Sequence, residues 1–305
     1  MADVLILGTV ALDSVKTPFG EAENALGGSA SFAAYSASFF SKPAIVSVIG
    51  KDFPKKYHDV FAKNGIDTSC IKIEDKTFRW SGFYEYDMNE AKTLNTELNS
   101  LAAFKVDIPE KYRDTKYIFL ANIDPELQYN AIKQMRNPSL IIMDTMNFWI
   151  SSKKEKLLDV ISKANVLLLN DGEARQLFSA TSLVTAANKA LSLGPKTVII
   201  KKGEHGALLF DTNKDIFFAP ALPIEDVFDP TEAGDTFAGG FIGHLAKTDD
   251  ISFDNMKRAI IMGSAMASYT VEKFGTERII NLSDEDIEKR IQEFINLVQF
   301  NISLT

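Results

Sequence analysis

Cysteine is nearly missing from this sequence: Cys70 stands alone, which excludes an internal disulfide and any cysteine-rich metal site. His58, His205 and His244 are the only histidines, and none has metal-ligand spacing. Long apolar runs are missing as well. The first one covers only Val4–Leu7, too short for a secretory signal, and nowhere do about 18 apolar residues follow one another. These absences predict a soluble, cytoplasmic protein without a membrane partner. Clusters of Lys and Arg are also absent, and 33 basic against 41 acidic residues leave a formal charge of -8. Such a chain is a poor binder of phosphate backbones, so no nucleic-acid partner is expected. Neither G-x-x-x-x-G-K-[ST] nor G-x-G-x-x-G occurs, which removes the P-loop and Rossmann dinucleotide routes.

What is present is enough apolar material, 46% of 305 residues, for a sizeable core. Short β-branched and leucine-rich runs recur at Val4–Leu7, Ile45–Ile49, Tyr117–Leu120, Leu140–Met143, Val166–Leu169, Thr197–Ile200 and Ala207–Phe210. Several are apolar at every position, as strands buried on both faces of a parallel sheet must be. Helix-length stretches separate them: Ser29–Phe40, Lys55–Lys63, Glu126–Gln134, Ser151–Lys163 and Thr181–Leu193. The alternation predicts a doubly wound, mostly parallel α/β sheet flanked by helices, in a single domain over 1–305. Two excursions, about 12–26 and 71–104, break the rhythm. The second carries alternating aromatics (Phe78, Trp80, Tyr84, Tyr86) and is too long for a plain connection. Both are expected to form a small β lid over one edge of the main sheet. The last third reads as helices at Thr236–Ala246, Asn255–Val271 and Asp284–Val298, the last with Ser283 as N-cap.

The most informative stretch is Asp229-Pro230-Thr231-Glu232-Ala233-Gly234-Asp235 before an apolar helix. Small residues at a helix start expose backbone N–H groups where the dipole favours an anion. A carboxylate at that place, Asp235, can take a proton from an attacking hydroxyl. Taken alone, it reads as an N-capping Asp. Other strand ends carry related features: Asp13 after the first strand, Gly27-Gly28 before Ser29, Asp144 and Asn147, Asn170-x-x-Glu173, and Lys202-Gly203. In an α/β sheet these lie on the rim where ligands bind.

Asp13, the paired glycines, Asn170-x-x-Glu173 and the Asp229–Asp235 motif together resemble the ribokinase-like PfkB family of carbohydrate kinases across essentially the whole chain. The resemblance implies ATP-dependent phosphoryl transfer to a hydroxyl of a small sugar or nucleoside. Asp235 would be the general base, with the backbone of Ala233, Gly234 and Asp235 as anion hole. Asp13, Gly27, Gly28 and Arg79 would meet the acceptor. Asn170, Lys202, Gly203, Thr231, Ser264 and Ala267 would line the nucleotide, and Glu173 would hold Mg²⁺ through water. The resemblance further implies ATP and Mg²⁺ as cofactors, leaves room for a monovalent cation such as K⁺, and suggests a homodimer formed through the lid. Two positions depart from the family pattern: Glu232 stands where glycine is usual, and Phe32 where an acceptor-binding Asn is frequent. Glu232 is the feature that leans to the alternative, a catalytically silent fold that binds a metabolite as a sensor.

Overall fold

The structure is a computed structural model, which describes residues 2–89 and 91–299. In chain order its elements begin with β1 (Val4–Leu7), β2 (Ala11–Thr17), β3 (Gly20–Gly27), α1 (Ser29–Ser38), β4 (Pro43–Gly50), α2 (Lys55–Lys63), β5 (Asp67–Glu74), β6 (Phe78–Phe83) and β7 (Lys92–Glu97). There follow β8 (Tyr117–Leu120), α3 (Pro125–Gln134), β9 (Leu140–Met143), α4 (Asn147–Ser152), α5 (Lys154–Ile161), β10 (Val166–Asn170), α6 (Asp171–Phe178), α7 (Leu183–Leu191) and β11 (Thr197–Lys201). The chain then runs through β12 (Ala207–Asp211), β13 (Ile216–Ala219), α8 (Ala233–Thr248), α9 (Phe253–Thr270) and α10 (Asp284–Val298).

Nine strands form the large sheet in the order β13-β12-β11-β10-β9-β8-β1-β4-β5. Pairing is parallel from β11 through β5, while β12 and β13 add antiparallel at one edge. The period of two divides each central strand between two cores. In β1, Val4 and Ile6 face the core beneath α1, α8 and α9, while Leu5 and Leu7 face the opposite one with α3, α5, α6 and α7. In β10, Val166 and Leu168 divide from Leu167 and Leu169 in the same way. Burying each such side chain contributes roughly 1.5–3 kcal/mol, and the few polar residues inside these strands are small and buried, such as Ser47, whose hydroxyl donates to the Gly8 carbonyl. The polar groups therefore collect at the strand ends.

The second sheet has the order β3-β2-β6-β7. Residues 12–26 and the later excursion do meet, since β2 pairs with β6 in parallel from Ala11↔Phe78 to Lys16↔Phe83. The later excursion begins later than its sequence suggests. Residues 71–74 belong to β5, which pairs with β4 at the edge of the large sheet, and the small sheet starts at Phe78. The stretch 151–163 is divided too: α4 ends at Ser152 and α5 starts at Lys154, with Lys153 in a non-helical conformation between them.

Helix α8 carries the motif and lies against α1 at very short range. A Cβ on Gly239 would stand 2.1 Å from the Ala33 carbonyl oxygen, so only glycine lets the two backbones meet. Helix propensity alone would make Gly239→Ala stabilising by about 1 kcal/mol. Overpacking of a rigid contact costs about 1–3 kcal/mol. Chemical denaturation of Gly239→Ala is therefore expected to show a net loss of stability, and a gain would mean that α1 and α8 approach less closely than described.

Candidate active site

The carboxyl ends of β1, β9, β10 and β11 open on one rim, and the first turn of α8 lies across it. The helix starts earlier than its apolar pattern indicates, at Ala233, so the Ala-Gly-Asp of the motif is the first turn itself. The amide of Ala233 donates to the Pro230 carbonyl at 3.3 Å. Those of Gly234 and Asp235 have no acceptor among the described residues, leaving two open donors rather than three at the positive end of the helix dipole. The Asp235 carboxyl is buried, and its Oδ1 meets no donor. Burial, then the negative charges of Glu232 and Asp144, push this carboxyl well above the usual range, against the opposing charge of Lys201.

Lys201 is the cation of the site, and its sequence gave no such role. It is the last residue of β11, and its Nζ donates to Asp144 Oδ2 at 2.5 Å. A Cβ on Gly234 would come within 3.0 Å of that same Nζ, which places the amine beside the open amides. Burial works against the charge of Lys201, but Asp144, Glu173 and Asp235 outweigh it and hold the amine above the usual lysine range. Lys202, the expected nucleotide contact, follows the end of β11 and places its Nζ 5.9 Å from the Phe218 ring centre. Strand parity is the reason: Lys201 continues the side of Thr197 and Ile199 that faces α8, and β11 ends before Lys202. Gly203 opens the following turn with φ 54°.

Asn170 and Glu173 close a capping box at the start of α6. Asn170 Oδ1 accepts from the Glu173 amide at 2.7 Å, and Glu173 Oε2 accepts from the Asn170 amide at 2.8 Å. Glu173 is buried and pushed up to about 7, first by burial and then by Asp144. One of its oxygens is thus committed to the cap, and among the described residues no three acidic, His or Cys side chains are grouped to hold a metal ion. That arrangement fits a Mg²⁺ ion held through water and substrate phosphate, the usual habit of this cation, and does not fit a closed protein cage. Ser264 and Ala267 lie three residues apart on α9, both part-exposed.

On the other side of Asp235 is a cleft lined by Asp13, Val15, Gly27, Phe32, Thr231 and Glu232, among others. Phe32 is buried, so it offers this cleft an apolar wall where a side-chain amide was the family expectation. A Cβ on Gly27 would sit 2.0 Å from the Asp13 carboxylate, which explains the glycine. The Gly28 amide is not free for an acceptor, since it donates to Glu232 Oε1 at 2.9 Å. Thr231 lines this cleft as well: its amide donates to Asp229 Oδ1 and its hydroxyl to the Tyr84 hydroxyl. Arg79 is not brought to this cleft. Asp13 and Val15 face it, whereas Arg79 shares the other face of the small sheet with Leu12 and Ser14, bonded to Asp52 and Asn24.

Glu232 is the residue without precedent in the motif reading. It caps α8 in the left-handed region at φ 63°, a conformation that costs a non-glycine residue about 1–2 kcal/mol. Burial and the neighbouring Asp13 push its carboxyl up to about 8, and burial raises Asp13 to about 7.

These raised carboxyls fix the pH dependence of stability. The folded state holds protons that the unfolded chain has released above the ordinary carboxylate range, so stability falls as pH rises toward the folded values. The ligand-free protein is expected to unfold at lower denaturant concentration at about pH 8.5 than at about pH 6, and Glu232→Gln should flatten that slope. An equal or rising midpoint over this interval would contradict the buried placement of Asp13, Glu173 and Glu232.

Comparison with known proteins gives this rim its context. A cytidine kinase of Thermococcus kodakarensis is 27% identical over 281 residues, covering 90% of this chain and 98% of that protein. The crystal structure of a nucleoside kinase from Methanocaldococcus jannaschii, an archaeal member of the ribokinase family, matches with TM-score 0.76 at 22% identity, over 95% of this chain and 98% of that one. An aminoimidazole riboside kinase from Salmonella enterica, complexed with aminoimidazole riboside and an ATP analog, matches with TM-score 0.74 at 18% identity, over 94% and 99%. Residues 6–281 match the pfkB family carbohydrate kinase, and the chain therefore belongs to that family and is a phosphotransferase.

Proposed function

We propose that this enzyme transfers the γ-phosphoryl group of ATP to a hydroxyl of a nucleoside or related small sugar, with Asp235 as general base. One observation carries the reading: a buried carboxylate oxygen without a donor, Asp235 Oδ1, lies in the same helical turn as two open amides. The acceptor hydroxyl would donate to Asp235 while its oxygen attacks the γ-phosphorus. The bond from phosphorus to the bridging oxygen of ADP breaks as the new ester bond forms, and the hydroxyl proton stays on Asp235. The amides of Gly234 and Asp235, with Lys201 beside them, would receive the phosphoryl oxygens. Preorganised donors of this kind act strongest in a site that excludes water.

The electrostatics support the need for a cation. Asp13, Asp144, Glu173, Asp229, Glu232 and Asp235 surround the rim, while Lys201 is the one buried amine among them. A polyphosphate added there would meet carboxyls already pushed toward their protonated forms and one cation, and would need further positive charge. Mg²⁺ would supply the missing charge when bound with ATP, its waters held by Asn170 and Glu173. The acceptor side is supported by Asp13, whose buried Oδ1 lacks a donor, and by the apolar wall of Phe32. The coverage of a cytidine kinase along 98% of its length favours nucleosides among the acceptors. Glu232 does not favour a silent binder, because the two open amides survive beside it.

Asp235→Asn keeps the size of the side chain and removes the base. We expect kcat to fall by about 10²–10⁴ while ATP affinity, measured by calorimetry, stays within a few-fold. Retained turnover would remove Asp235 from the reaction.

A further inference from the structure

We propose that Glu232 is a positioning residue for the base: its carboxyl bridges Asp13 and Asp235 through shared protons, and so sets when Asp235 is free to act. The inference rests on the reading of Asp235 as general base and adds a residue that reading does not need. Its geometry comes from three elements. Glu232 caps α8 in the left-handed region, and Oε1 is anchored by the Gly28 amide at the start of α1. From there the carboxyl lines the same cleft as Asp13 on β2 and lies at the N-cap of the turn that carries Asp235, and each of the three side chains holds a buried oxygen without a partner.

Carboxyl groups hydrogen-bond to one another only when one of them carries a proton. Asp13 Oδ1, Glu232 Oε2 and Asp235 Oδ1 are all buried, and no amide, hydroxyl or amine among the described residues donates to any of them. Protons held between the three groups are the donors that remain. The metal alternative has no support in the geometry, since no trio among the described residues is arranged to hold an ion. The groups facing the bridge are Asp229 in the preceding loop, Tyr84 after β6, Asp144 after β9, Glu173 on α6 and Lys201 at the end of β11. Only Lys201 opposes the negative charge, and it lies on the Asp235 side.

The consequence concerns the acid limb of the pH profile. With Glu232 ionised beside it, Asp235 keeps its proton to higher pH, and the base is available only after that proton leaves. During transfer the acceptor proton lands on Asp235 and departs to solvent with product release, so the pair returns to its starting proton count. Removing the Glu232 carboxyl leaves Asp235 with Asp144 and Lys201 alone, which frees the base at lower pH.

The test is the pH dependence of kcat and kcat/KM, with cytidine and ribose each offered as acceptor at saturating Mg·ATP, for the parent, Glu232→Gln and Glu232→Gly. The glycine variant relieves the left-handed backbone and covers the case in which glutamine disturbs folding. Both variants are expected to move the acid limb down by about one pH unit or more, a tenfold change in proton concentration. A limb that stays in place while kcat falls evenly at every pH would reduce Glu232 to a structural cap and overturn the inference. Infrared difference spectra of the ligand-free protein provide a readout independent of acceptor. The parent should show the carbonyl stretch of protonated carboxyls persisting above about pH 6, and Glu232→Gln should lose much of it; identical spectra would also overturn the bridge. Asp235→Asn separates the two levels of the account. An inactive Asp235→Asn with an unmoved limb in the Glu232 variants defeats only the bridge, whereas an active Asp235→Asn defeats the base.

Discussion

Burial of a carboxylate among other carboxylates is the constraint on which the rest of this structure turns. As the proposed base, Asp235 would have to meet an acceptor away from water, and burial makes its charge expensive. The fold answers with the first turn of α8, whose open amides and dipole favour negative charge. It also places Lys201 within reach, held in turn by Asp144. What those donors do not balance is left to protons and, with ATP, to Mg²⁺.

The large sheet makes that arrangement possible. Because its central strands are apolar on both faces, polar chemistry is confined to their carboxyl ends, and parallel pairing gathers those ends on one rim. Helix α8 is then held against α1 by the Gly239–Ala33 approach, which fixes the first turn relative to Gly28 and Asp13. The small sheet supplies Asp13 from β2 and, through β6, the Tyr84 that meets Thr231. Packing and charge are thus coupled through a few backbone positions.

Much of this was legible in the sequence, for physical reasons that also mark where legibility ended. Continuous apolar runs located the central strands, because burial on both faces leaves no alternation to misread. The edges were harder. Residues of β5 mix Asp, Thr, Ser and Lys with Cys and Ile and lack the signature of a buried strand, whereas Ile216–Ala219 of β13 is apolar throughout yet partly exposed at the sheet edge. The break at Lys153 has no proline or glycine to announce it. In the candidate site, the motif marked the turn that opens α8, but Lys201 was missed because a lysine at a strand end resembles a solvent contact. Continuing the parity of Thr197 and Ile199 by two residues would have separated it from Lys202. Strand parity likewise assigns Arg79 to the face away from Asp13. The contact of Glu232 with the Gly28 amide lay beyond sequence reasoning, since it depends on Gly28 arriving from a distant segment.

The most direct measurement follows the phosphorus itself. Phosphorus NMR of the protein with ATP and Mg²⁺, across nucleosides and free sugars, distinguishes a phosphate ester from inorganic phosphate. The account predicts ADP together with one new phosphomonoester signal that depends on both acceptor and enzyme. Release of inorganic phosphate without an ester, at the same rate whether or not an acceptor is present, would contradict a site built to deliver the phosphoryl group to a hydroxyl.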